Sequence, residues 1–176
     1  MQDNSMDLPI DSFSGFAVQD SFSHTLVHDK RMFGFHTENL NTAVGAHHDV
    51  LIKTGALPIH LILSGDFEGG RFDIQVRRNA VATADGTPVD VWNYNDFAGA
   101  EHAPKASIFV APTLSSIGTL WSPRSVMSGK NLSTAFRPGI ERVLKPNSVY
   151  LIRHTSTANN SIAIVDGLFY EGNGLS

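Results

Sequence analysis

Histidines are the residues in this chain best suited to chemistry, and there are eight of them. Imidazoles bind metals and move protons near neutral pH. His47-His48-Asp49 is the densest group, and His60 follows on an expected strand. Metal ligands must converge on one point, at i and i+2 on a strand or at i and i+3 or i+4 on a helix. Adjacent His47 and His48 on a strand point to opposite faces. His24 and His28 have helical spacing, but the residues around them do not read as a helix. A jelly-roll metal enzyme needs two histidines one residue apart with a carboxylate nearby, and the sequence contains no such pair. No metal is expected. The reading that would use one is a cupin-like metalloenzyme built on His47, His48 or His60.

Nucleophilic and phosphate chemistry are no better marked. Serines are abundant, yet there is no Gly-x-Ser-x-Gly elbow. Gly65 to Gly70 has the glycines of a turn, but Asp66 and Glu68 would repel a phosphate and no lysine follows. The chain is expected to be no enzyme, with no catalytic residue and no cofactor. Trp92, Tyr94 and Trp121 offer a different chemistry, because aromatic faces stack on sugars. Aromatics on strands more often fill cores, so Trp92 and Tyr94 are expected inside.

Short strands must position these side chains. Val50 to Ile52, Ile59 to Leu63, Phe72 to Arg77, Val89 to Tyr94, Ile108 to Val110, Val149 to Arg153 and Ile162 to Val165 are the candidates. Phe72, Ile74 and Val76 alternate with Asp73, Gln75 and Arg77, the period of a strand with one buried face. Gly65-Asp66, Glu68-Gly69-Gly70, Asp85-Gly86 and Asn159-Asn160 read as turns, and Pro146-Asn147 turns the chain into the strand at Val149. Short helical turns fit only at Asn39 to Ala46 and Asp96 to His102. Many short strands between turns predict an all-β sandwich or barrel.

At 176 residues and 41% hydrophobic, the chain is expected to form one globular domain. No run is long enough to span a membrane as a helix, and the N-terminus is acidic where a signal peptide is basic. No cysteine is present, which excludes disulfides and thiolate metal sites and fits a product of a reducing cytoplasm. The net charge is −4, and no lysine or arginine precedes Lys30. A duplex-DNA binder shows the reverse, so neither nucleic acid nor membrane is an expected partner.

Residues 1–35 read as a partly extended N-terminal arm and 36–176 as the β-sandwich. The arm holds Phe13, Phe16, Phe22, Phe33 and Phe35, separated by Asp, Ser and Gly. Such apolar area must be buried somewhere, on a partner or on the chain's own core. Phe13, Phe16 and Phe22 are the expected partner contacts, with Asp11 and Asp20 in electrostatic support.

Taken in order, several short motifs resemble a family of tailed-phage virion proteins, the head decoration or cement proteins. They are Asn39-Leu40, Gly86-Thr87-Pro88-Val89, Asn93 and Asn95, Pro112-Thr113, Gly118-Thr119-Leu120, Leu144-Lys145-Pro146-Asn147 before Tyr150-Leu151, and Phe169-Tyr170-Glu171. They span residues 36 to 172. Two positions depart from the family pattern: Asp96 stands where an arginine is usual, and Phe169 where a tryptophan is usual. The resemblance implies an all-β, jelly-roll-like β-sandwich with an extended N-terminal arm. It further implies a structural protein of the bacteriophage virion, a homodimer or homotrimer made in the host cytoplasm. Such a protein binds the capsid's outer surface and stabilises contacts between major capsid protein subunits. The alternative is a carbohydrate- or receptor-binding β-sandwich module of a tail or fibre.

Overall fold

The structure, a computed structural model, describes residues 22–127, 134–136 and 141–172, with side chains described for 25–123 and 141–172. Among the described residues one helix, α1 (Phe22–His28), leads into fourteen strands. These are β1 (Met32–Thr42), β2 (His47–Lys53), β3 (Ile59–Glu68), β4 (Arg71–Arg78), β5 (Val81–Ala84), β6 (Thr87–Pro88), β7 (Val91–Asn93), β8 (Ser107–Val110), β9 (Thr113–Ser116), β10 (Thr119–Met127), β11 (Thr134–Phe136), β12 (Arg142–Leu144), β13 (Val149–Ser156) and β14 (Ser161–Glu171). A 3₁₀ turn covers Ala100–His102.

Twelve of these strands form two antiparallel sheets. The first runs β11-β3-β14-β1-β7, and β12 continues the edge that β11 begins, since both pair with β3. The second runs β10-β4-β13-β2-β8-β6. Counting β11 and β12 as one, the eight main strands in chain order are β1, β2, β3, β4, β10, β11/β12, β13 and β14. Their positions are then 1-8-3-6 in one sheet and 2-7-4-5 in the other. That interleaving is the jelly roll, two sheets wound together through Greek-key connections. The expected all-β, jelly-roll-like sandwich is therefore the observed fold.

Alternation explains how the sheets meet. Phe72, Ile74 and Val76 point inward from β4, as their spacing predicts. Val50 and Ile52 of β2, Ile152 of β13 and Val165 and Phe169 of β14 join Phe72 and Ile74 in one core with Phe33 and Phe35 of β1. Each fully buried Leu, Ile or Phe contributes roughly 1.5–3 kcal/mol, more than any exposed ion pair. A third layer follows from the remaining residues. The β5–β9 ribbon folds over the outer face of the second sheet, where Ala82 and Leu114 cover Leu51 and Leu151.

Four local expectations are corrected. Phe33 and Phe35, grouped by sequence with the arm, are core residues of a strand that pairs with β14 along most of its length. Gly65-Asp66 is no turn but lies within β3, where the Ile164 carbonyl oxygen sits 2.5 Å from the position a Cβ would take. Asn39 to Thr42 continues β1 instead of forming a helical turn. His24 and His28 do lie on a helix, α1, which is short and held by the burial of Leu26 against Met32 and Tyr170. Seven residues are too few to display helical periodicity.

Candidate functional site

Alternation on β2 sends His48 inward and leaves His47 exposed. His48 Nε2 lies 3.0 Å from Thr37 Oγ1, and its ring centroid is 6.0 Å from that of His154 on β13. His154 donates its Nδ1–H to the His48 carbonyl at 3.2 Å and stacks on Phe67. Burial lowers the His48 pKa, and burial next to His48 pushes His154 down to about 4. Both imidazoles are therefore neutral at pH 7. On the opposite face Arg153 grips Asp49 through two hydrogen bonds of 2.8 and 2.6 Å, and that bond holds the guanidinium pKa above its ordinary value. Each group has its partner within the fold, which is the pattern of a satisfied interior.

His60 lies elsewhere, on β3. Its ring stacks on Tyr170 with centroids 4.4 Å apart, and both side chains meet the Glu141 carboxylate. Burial, then the bond to Glu141, pushes the Tyr170 phenol up to about 12. His47, His48 and His60 are thus not brought together. Among the described residues no three His, Asp or Glu side chains are placed to hold a metal ion.

The aromatics reverse the expectation made for them. Trp92 and Tyr94 are not core residues; they are 42% and 49% exposed. The reason is that β7 spans only three residues and forms the edge of its sheet, so its outer face has no covering layer. Trp92 lies directly opposite Gly34 of β1. A Cβ on Gly34 would fall 2.8 Å from both rings, so the glycine lets them lie over the strand. Their undersides cover backbone while their outer faces meet solvent.

Further along the same edge, Trp92 lines a depression of about 250 Å³ with His36, Glu38, Asp90, Pro88 and Val110. An adjoining depression of about 590 Å³ shares Glu38 and Val110 and reaches Asn41, His47 and Asp49. Neither His36 nor Glu38 stands out by residue type, though the alternation Gly34-His36-Glu38 against Phe33-Phe35-Thr37 marks both as outward-facing.

Trp121 is 39% exposed and contacts Tyr150, with ring centroids 5.7 Å apart. It shares a pocket of about 370 Å³ with Arg78, Lys145 and Ser148, a basic setting.

Of the expected partner contacts, Asp11, Phe13, Phe16 and Asp20 lie outside the described residues, and Phe22 opens α1. No family model matches the chain, and no curated protein or solved structure matches it.

Proposed function

We propose that this chain is a structural virion protein that binds the outer surface of a tailed-phage capsid and stabilises contacts between major capsid protein subunits. The observation that carries the reading is the place of the motif residues in the jelly roll. Asn93 donates to the Lys30 carbonyl at 2.8 Å and Asn95 to the Val27 carbonyl at 3.0 Å, which ties α1 and its exit to the sheet edge. The Lys145 N–H donates to the Tyr150 hydroxyl at 2.9 Å, closing the turn at Pro146-Asn147. The Glu171 carboxylate accepts the backbone N–H groups of Lys105 and Ala106. Asn93, Asn95, Tyr150 and Glu171 thus act as corner posts, and the order of the motifs is that of the decoration proteins the sequence resembles. The jelly roll alone carries no function, because capsid, lectin and cupin domains share it.

Charge placement supports an arm that docks. The first 21 residues hold Asp3, Asp7, Asp11 and Asp20 and no base, while the rest of the chain has equal numbers of acids and bases. The excess charge is thus concentrated beside Phe13 and Phe16. Buried aromatics dominate interface energies, and complementary charge steers encounter. On a symmetric lattice, weak contacts made by several linked copies add to firm attachment, so a homodimer or homotrimer suits the role.

Removal of residues 1–21 tests the arm. The core residues named above lie between Leu26 and Tyr170, so the shortened chain should melt cooperatively near the temperature of the full one. It should lose its affinity for shells. Undiminished binding by the shortened chain would remove Asp11, Phe13, Phe16 and Asp20 from the contact.

A further inference from the structure

We propose that the groove between the Trp92 edge of the first sheet and the β6–β8 edge of the second binds a neutral oligosaccharide. This site is separate from the capsid contact and does not depend on it. Three observations converge on it. The Trp92 ring has one face over Gly34 and the other toward solvent, held in place by the close approach of Gly34 beneath it. A ring fixed in this way loses little freedom when a pyranose stacks on it, and preorganisation of that kind favours weak ligands.

The lining is the second observation. Hydroxyl-bearing ligands need acceptors and donors spread along their length. Glu38 and Asp90 provide carboxylate acceptors in the depression that Trp92 lines. His36, held 2.8 Å from Asp166, presents an imidazole beside them. Asn39, Asn41 and His47 continue the polar wall in the adjoining depression.

The third is shape. The two depressions share Glu38 and Val110 and together follow β1 from the level of Gly34 to Asn41. Seven residues of strand span roughly 23 Å at about 3.3 Å each, a length for several sugar units and not for one.

Charge sets the class of glycan. No lysine or arginine lines either depression, whereas Glu38 and Asp90 do; the Asp49 carboxylate at the far end is taken up by Arg153. Carboxylates repel uronic and sialic acids, so neutral and N-acetylated sugars are accepted and acidic ones refused. The Trp121 pocket, with Arg78 and Lys145, has the opposite bias and serves as an internal comparison.

Tryptophan emission reads the site directly. The chain has two tryptophans, so Trp121→Phe leaves Trp92 as the sole reporter. That variant is titrated with oligomers of glucose, galactose, mannose and N-acetylglucosamine, and in parallel with uronic-acid and sialylated oligomers. Saturable change with at least one neutral oligomer, and none with the acidic ones, is expected. Glu38→Gln should weaken binding several-fold. In the chain that retains Trp121, calorimetry should show Trp92→Ala weakening it roughly tenfold or more. Trp92→Phe keeps an aromatic cover on Gly34 and serves if the alanine variant fails to fold. Silence across the neutral panel from folded protein overturns the proposal. So does equal binding of acidic oligomers, or affinity unchanged in both Glu38→Gln and the Trp92 variant. Shell binding by the same variants should be unaltered, which separates failure here from failure of the capsid reading.

Discussion

His154 shows what a buried titratable residue does to a sandwich. Its folded pKa of about 4 lies below the ordinary imidazole value of 6.5 because burial penalises the imidazolium. Between those values the unfolded chain binds a proton that the folded chain does not. Stability is therefore fully present above about pH 6.5 and falls as pH drops toward 4, by on the order of 3 kcal/mol at the lower end. Denaturant titrations from pH 7.5 to 4.5 should show this slope, and His154→Leu should flatten it. A slope unchanged in the variant would assign the acid sensitivity to other groups. The residue scale is also where sequence misleads. Nothing in the composition of Trp92 or Tyr94 distinguishes an exposed ring from a core ring. What decides is that their strand is an edge strand and that Gly34, far away in sequence, lies opposite.

At the scale of the element, legibility followed contrast between faces. β4 was readable because Phe72, Ile74 and Val76 alternate with charged and amide residues. β14 was readable only as far as Val165, because Gly167 interrupts its inward row and Ile162, Ile164 and Leu168 make its outer face apolar too. Gly167 faces the Phe35 ring, and a Cβ there would come within 2.0 Å of it. Gly167→Ala should overpack the core and cost on the order of 1–3 kcal/mol, or more if Phe35 cannot turn aside. A melting temperature within a degree of the parent would show that the ring has room to move. The last residue of β14 does a different job. Glu171 accepts the N–H of Lys105 at 2.9 Å and that of Ala106 at 2.7 Å, which fixes the entry to β8. Glu171→Gln loses charge-assisted bonds at a buried site and should cost about 1–3 kcal/mol. Hydrogen exchange should quicken at Lys105 and Ala106 more than in β13; uniform quickening would deny Glu171 that local role.

The whole molecule is a jelly roll because eight strands alternate between two sheets, and only part of that was written locally. Turns at Gly69-Gly70, Asp85-Gly86 and Asn159-Asn160 are recognisable from their residue types, and they delimit β3, β5 and β14. Pairing β1 with β14, across about 130 residues of chain, is set by the summed burial of both strands and leaves no local mark. Half of the groove that Trp92 lines is equally hidden, since β1 and β8 meet there only after the sheets close. The arm is legible in another way, as acid and phenylalanine concentrated before α1, but its complement would lie on another molecule. The proposed role requires that the folded chain bind a capsid. Cosedimentation of the purified protein with shells that lack it, with its own mass taken by light scattering, tests this most directly. Saturation at a fixed ratio to the shell subunit, by a dimer or trimer, is the predicted result. Folded protein that stays in the supernatant at every shell concentration would contradict it.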